Sequence, residues 1–332
     1  MTPIAARGSA AVVSAVGSAL PAAVVTNDDL TARLDTTDEW IRSRTGITRR
    51  HIAGADRSTT DLAVQAAAQA LTGSGPAQVE ALVVATTTPD RCCPAIAPTV
   101  ATRLGLTGIP AHDLVAGCTG FLYALATGAG LIAAGTAETV LVIGADRLAS
   151  LPHAEDRTTV PLFGDGAGAV VLRRGSAQEA GALGPVVLGS DGTGADLIRA
   201  ERPGALHMEG ADVFRHAVDR MSTASRQAAT AAGWDLSDVD RLVPHQANSR
   251  ITSFVSRQLG VADDRRLSNV AEVGNTGAAS IPLLLAQAAA DARLKAGHRT
   301  LLTAFGAGLT WGAVTLTWPD LPPYPPSGRS RT

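Results

Sequence analysis

The second half of this chain runs through the same series of segments as the first, and that repeat constrains its fold more than any other feature. Val239-Asp-Arg-Leu-Val-Pro-His-Gln-Ala-Asn248 echoes Val79 to Asp90. Ile251 to Gly260 echoes Ala97 to Gly105, and Val273-Gly-Asn-Thr-Gly277 echoes Ala116-Gly-Cys-Thr-Gly120. Thr300 to Gly308 echoes the apolar strand that begins at Thr139, and Trp311 to Leu316 echoes the strand ending at Leu172. Most offsets lie near half of the 332 residues. Two fused βαβ-type halves, packed about a pseudo-twofold, predict an α/β protein with helices between sheets. The expected halves are residues 1–175 and 176–318. The remaining Pro-rich, polar stretch, 319–332, reads as a disordered or surface-draped tail.

Within the first half, Cys118 stands out. Ala111-His-Asp-Leu-Val-Ala-Gly-Cys118-Thr-Gly sets it after a short apolar run and before a long Ala-rich helical pattern. The expected geometry is a strand that turns at Gly117, with Cys118 opening a helix that runs to about Ala134. A helix N-terminus carries partial positive charge and unpaired N–H groups. A thiol there is expected below its free pKa of about 8.5. Nucleophile and inert buried cysteine are both open at this point. Other elements are readable around it. Asp35 to Ile47 reads as a polar insertion with a capped turn at Thr36 or Thr37 followed by Glu39. Ser58 to Leu71 reads as a helix with Asp61 in its first turn, and Pro98 to Leu104 as a short helix ended by Gly105.

Composition narrows the function classes. Net charge is −2, which gives no global basic field for nucleic acid. Three cysteines, Cys92, Cys93 and Cys118, are too few and too irregular for a disulfide framework or a zinc site, so no metal is expected. The apolar run Ala10 to Val25 is interrupted by Gly17 and Pro21 and is too short to span a membrane. It reads as a first strand and turn. A reducing, cytoplasmic setting without membrane contact is expected.

The repeat also brings chemistry together. Ligands in α/β folds favour the carboxyl ends of strands at topological junctions. Cys118, the loop after Pro244 that carries His245, and the Gly274-Asn275-Thr276-Gly277 loop are expected to converge there. Singly, His245 reads as a hydrogen-bonded structural histidine and Asn275 as a turn residue. Together, at matched places in a repeat, they read as a site.

These motifs carry a resemblance from about Val12 to Trp318. They are Asp-Glu-Trp40-Ile-Arg-Ser-Arg44-Thr-Gly-Ile, Ala-Gly-Cys118-Thr-Gly-Phe, Phe-Gly-Asp-Gly-Ala-Gly-Ala, Val-Pro-His245-Gln-Ala-Asn248-Ser-Arg-Ile, Gly-Asn275-Thr-Gly-Ala-Ala-Ser and Phe305-Gly306-Ala-Gly-Leu-Thr-Trp-Gly. The chain resembles a β-ketoacyl-ACP synthase III of the thiolase superfamily. The resemblance implies a thiolase-like fold layered α-β-α-β-α. It implies a catalytic set of Cys118, His245 and Asn275, and an oxyanion hole from the N–H groups of Cys118 and Gly306. It implies a priming reaction. Acyl-CoA acylates Cys118, and decarboxylative condensation with malonyl-ACP then gives β-ketoacyl-ACP, as a fatty acid or polyketide starter. No permanently bound cofactor is implied, and acyl-CoA is a substrate.

The resemblance further implies CoA contacts at Trp40, Arg44, Arg157 and Asn248. Arg215, Arg250 and Arg257 would form a docking patch for an acidic carrier protein. Phe305 would shield the malonyl site. Members of the family are homodimers in which the loop at Arg91-Cys-Cys93-Pro94 closes the partner's acyl pocket. Many carry a bulkier residue where Cys93 stands, so a deeper pocket and longer primers are expected here. Two other readings stay open. One is an acyltransferase that passes the acyl group to another acceptor without condensation. The other is a non-catalytic partner subunit, which would be expected to lose one of the three catalytic residues.

Overall fold

A strand covered on both faces must be apolar at every position rather than at alternate ones. Ala81-Leu-Val-Val-Ala85 meets that demand, and all five residues are buried. The computed structural model describes residues 9–73, 78–200 and 206–321. The strand lies inside a five-stranded sheet ordered Ser9–Ala19, Asp165–Ser176, Thr139–Arg147, Ala81–Ala85, Ala111–Leu114. The first two pairings are antiparallel and the last two parallel. A second sheet is ordered Leu183–Ser190, Thr310–Thr317, Arg299–Gly306, Arg241–Pro244. Its pairings are antiparallel, antiparallel and parallel, the same sequence as in the first. Where a fifth strand would stand, Arg266 makes a single parallel bridge to Leu242.

Three hydrophobic layers bind the sheets into five structural layers. The helices Gly120–Ala133 and Ser280–Ala290 are apolar nearly all round, as a helix between two sheets must be. They supply Phe121, Leu122, Leu125, Leu284 and Leu285 to the central core, with Val83 and Val142 from one sheet and Leu302 and Val314 from the other. Alternate residues of the same strands face outward. Leu82, Val84 and Ile143 pack under the helices Thr59–Gly73 and Ala97–Arg103 through Leu62, Ala66 and Val100. On the far side Leu242, Leu301 and Ala313 pack under Gly210–Ala231 and Ser249–Leu259 through Met221, Ala224 and Val255. This is the thiolase-like α-β-α-β-α fold of two duplicated halves.

The internal match needs one correction. Gly117–Thr119 is a 3-10 turn followed by the helix at Gly120, and Gly277–Ala279 is a 3-10 turn followed by the helix at Ser280. Gly117 (φ 54°) and Gly277 (φ 59°) start these turns in the left-handed region, where a side chain is strained. The counterpart of Cys118 is therefore Ala278, not Asn275. The sequence match had aligned Gly274 with Gly117, which is three residues too early. Cys118 also lies in the 3-10 turn ahead of its helix rather than at the helix's first residue. Thr37 caps the helix Asp38–Thr45, its Oγ1 accepting from the Trp40 N–H at 3.1 Å. Most of the tail expected over 319–332 falls outside the described residues.

Candidate active site

The carboxyl ends of the parallel strands all open on one side, between the two halves. A cavity of about 1150 Å³ occupies that junction. Cys118, His245, Asn275, Phe305, Gly306 and Ala307 line it together. Arg44, Asn248, Arg215 and Arg250 line it as well. Trp40, Arg157, Arg257 and Cys93 stand outside the lining.

Cys118 reaches this place through a close backbone approach. A Cβ on Gly306 would lie 2.6 Å from the Cys118 amide nitrogen, so only glycine lets the strand end come so near. A Cβ on Gly117 would lie 2.8 Å from the Ala307 nitrogen. Threonines clip the two turns together. Thr119 Oγ1 donates to the Thr310 carbonyl at 3.1 Å, and Thr310 Oγ1 lies 3.0 Å from the carbonyls of both Ala116 and Ala307.

The thiol does not have the lowered pKa expected from a helix N-terminus. Burial pushes it up to about 12, and the nearby Asp146 carboxylate adds to the rise. A desolvated thiolate beside a negative charge loses more than a helix end supplies. Cys118 therefore rests as a neutral thiol.

His245 follows the strand Arg241–Pro244, and its own N–H donates to the Thr303 carbonyl at 2.8 Å. The side chain is 3% exposed, and burial drives its pKa down to about 3, so the imidazole is neutral. The next residue fixes the loop. Gln246 Oε1 accepts from Ser268 Oγ and from the N–H groups of Asn269 and Val270, while Nε2 donates to the Pro244 carbonyl.

Asn275 is clamped on both sides. Its N–H donates to the Leu162 carbonyl at 2.8 Å, and its carbonyl accepts from Gly164 at 3.0 Å. Its side-chain Oδ1 accepts from the Gly277 N–H at 2.9 Å. That bond orients the amide and leaves the NH₂ group as the end that can donate into the cavity.

Sequence reasoning missed Asp146. It ends the apolar strand Thr139–Arg147 and is fully buried. Oδ1 accepts from the backbone and hydroxyls of Thr87 and Thr88 and from the Thr86 hydroxyl. Oδ2 accepts from the Ala278 N–H at 2.8 Å. One carboxylate thus ties a loop of the first half to the Asn275 loop of the second. The internal symmetry makes this instructive. Ala278 is the counterpart of Cys118, and because Leu82 pairs with Leu141 as Leu242 pairs with Leu301, the strand register sets Asp146 opposite Gly306. The second half's N–H holds a carboxylate oxygen. Beside the first half's N–H stands Gly306, with no side chain to occupy it, so that N–H is left to the cavity. The only forewarning in the sequence is a charge at the end of an otherwise apolar strand.

The entrance is built from two helix ends. Gly46 (φ 76°) closes the helix Asp38–Thr45, which carries Trp40 and Arg44 one turn apart. Asn248 caps the helix Ser249–Leu259 by accepting from the Arg250 N–H at 2.8 Å, and its Nδ2 donates to the Arg44 carbonyl at 3.0 Å. Arg157 bonds the Asp35 carbonyl at 3.0 Å, just ahead of the Trp40 helix. The Arg250 guanidinium sits 5.7 Å from the Phe214 ring and Arg257 sits 4.2 Å from the Phe254 ring, while Arg215 pairs with Asp212. Cys93 is exposed on its loop.

Comparison with known proteins settles the family. The profile of 3-oxoacyl-[acyl-carrier-protein] synthase III matches residues 112–192, and that of the C-terminal part of the same enzyme matches residues 229–318. β-Ketoacyl-[acyl-carrier-protein] synthase III 3 of Streptomyces coelicolor is 54% identical over 331 residues, covering 95% of this chain and 99% of that one. The chain belongs to the β-ketoacyl-ACP synthase III family. Synthases of this family are condensing acyltransferases. The crystal structure of 3-oxoacyl-(acyl carrier protein) synthase III from Pseudomonas aeruginosa superposes with a TM-score of 0.92 at 52% identity, over 95% of this chain and 100% of that one. The priming β-ketosynthase of the R1128 polyketide pathway superposes with 0.89 at 35% identity, over 95% and 98%. Among the described residues no helix is long and apolar enough to cross a membrane.

Proposed function

We propose that this synthase primes chain growth through Cys118, His245 and Asn275. One observation carries the assignment: these three side chains line a single cavity whose floor holds the Gly306 strand end against the Cys118 amide. Acyl-CoA enters first. Cys118 Sγ bonds to the acyl carbon, the oxyanion rests on the N–H groups of Cys118 and Gly306, and the Cys118 proton leaves with the CoA thiol. One such donor is worth roughly 10²–10³ in rate. Malonyl on acyl carrier protein enters next. His245 and the Asn275 NH₂ donate to its thioester oxygen, so the electron pair released by loss of CO₂ is held as an enolate. Two neutral donors suit that charge, and the low His245 pKa keeps the imidazole neutral. The enolate carbon attacks the Cys118 thioester, Cys118 leaves as thiolate and takes up a proton, and β-ketoacyl-ACP is released.

Around that core, Trp40, Arg44, Arg157 and Asn248 serve the CoA nucleotide, as a flat ring and cations suit an adenine and phosphates. Arg215, Arg250 and Arg257 receive the acidic carrier, and Phe305 shields the malonyl site. The active form is a homodimer. The strand Ala111–Leu114 is the edge of its sheet, and Val115 beside it is 73% exposed close to Cys118. An apolar residue exposed at a sheet edge suits pairing with a second copy. The partner's Cys93 loop then closes the acyl end of the cavity. The enzyme works in the cytoplasm, needs no permanently bound cofactor, and takes primers longer than acetyl.

Intact-protein mass spectrometry tests the reading, with a panel of acyl-CoAs, with and without malonyl-ACP, beside Cys118→Ala. The expected result is one acyl mass on Cys118 that disappears with CO₂ release when malonyl-ACP is added. Loading that malonyl-ACP never discharges would favour transfer to another acceptor.

A further inference from the structure

His245 Nδ1 and Ser280 Oγ lie 2.6 Å apart in a site where both residues are buried. Ser280 is the first residue of the central helix Ser280–Ala290, five residues after Asn275. Its oxygen already accepts from the Gln246 N–H at 3.3 Å. A serine hydroxyl has one proton and two lone pairs. Beyond the imidazole, no acceptor for that proton is found among the described residues. If Nδ1 carried hydrogen, Nδ1–H would donate to Oγ and the serine proton would be buried without a partner, at a cost of about 1–3 kcal/mol. With Nδ1 bare, every group is satisfied: Gln246 N–H donates to Oγ, and Oγ–H donates to Nδ1.

We infer that Ser280 is a positioning residue that holds His245 in the tautomer with its proton on Nε2, the nitrogen left for the cavity. The inference rests on the donor role given to His245 above. Ser280 then acts only through His245. It serves the condensation, in which Nε2–H donates to the malonyl thioester oxygen, and not the acylation of Cys118. The helix that supplies Ser280 is anchored in the central core, and the Gln246 network fixes the histidine backbone, so the pair is held from both sides. A neighbour that fixes an imidazole proton on one nitrogen decides whether that ring can donate at the other.

The test begins on the wild-type homodimer with histidines labelled in ¹⁵N, the His245 signals being assigned by their loss in His245→Gln. The expected pattern shows a proton on Nε2 and none on Nδ1 at pH 7. A proton on Nδ1 would overturn the inference without further work. Rates are then compared for Ser280→Ala and Ser280→Thr. The alanine variant should decarboxylate malonyl-ACP about tenfold more slowly while loading acetyl from acetyl-CoA within about twofold of wild type. The threonine variant, which keeps the hydroxyl, should recover most of the decarboxylation. Equal losses in both half-reactions, or no loss in either, would sink the inference. The donor reading of His245 is checked separately. Full decarboxylation by His245→Ala would remove that role while leaving the tautomer result standing.

Discussion

The Cβ that Gly306 lacks would stand 2.6 Å from the backbone nitrogen of Cys118. Backbone cannot swing aside as a side chain can, so the Gly306 strand end and the Cys118 turn must part if a methyl group is added. Gly306→Ala should therefore slow acyl transfer to Cys118 by roughly 10²–10³, the worth of one oxyanion donor. The time course of acyl-enzyme formation by mass spectrometry measures this directly.

Asn275 has its amide oriented by the Gly277 N–H, which leaves the NH₂ group free to donate into the cavity, the role proposed for it above. Asn275→Asp replaces that donor with a carboxylate that repels the forming charge. Condensation should fall by about 10² or more, while Cys118 acylation changes far less. Equal losses in the two half-reactions, measured with acetyl-CoA and malonyl-ACP, would contradict the assignment.

Burial lowers the His245 pKa from 6.5 to about 3. Below pH 6.5 the unfolded chain binds a proton that the folded chain refuses until about pH 3. The neutral ring's contribution to stability is therefore present above pH 6.5 and lost as pH falls through that window. Between pH 6.5 and 5 the loss is about 2 kcal/mol. Urea unfolding at both pH values should show it in the wild type and not in His245→Gln.

Gly306 is the side-chain-free counterpart of Asp146. Gly306→Asp should place a carboxylate on the Cys118 N–H, as Asp146 sits on that of Ala278. The variant should fold, as judged by circular dichroism, yet fail to take an acyl group from acyl-CoA. Normal loading would show that the two turns are not equivalent.

Cys93 bears on primer length. On the proposed role of its loop in closing the acyl pocket, Cys93→Phe should favour acetyl over longer primers by about tenfold or more in kcat/KM. Acyl-CoA competition assays decide it.

Much of this was legible in the chain itself. Apolar runs such as Ala81–Ala85 and the Gly-punctuated turns at Cys118 and Asn275 follow local rules, and the three candidates they single out line one cavity. What local rules cannot convey is distance between remote segments. The Gly-x-Thr-Gly pattern sets Asn275 against Cys118, because Gly274 and Gly277 both have positive φ and the pattern carries no record of which one opens the turn before a helix. The Cys118 pKa was misjudged for a similar reason. Its helix is local and readable, whereas the burial and the Asp146 charge come from chain far away. Ser280 stood in full view within Gly-Asn-Thr-Gly-Ala-Ala-Ser, but its contact with His245 spans 35 residues.

Duplication would ordinarily be expected to double a site. Here the two halves offer matching turns, and one of them is permanently occupied by a side chain of the protein itself. Asp146 fills the second turn, whose Ala278 also lacks a thiol, so a polypeptide with twofold internal symmetry carries a single charge of acyl group. Saturating acylation should thus reach one equivalent per chain. The asymmetry between the two halves comes down to a carboxylate in one and a bare glycine in the other.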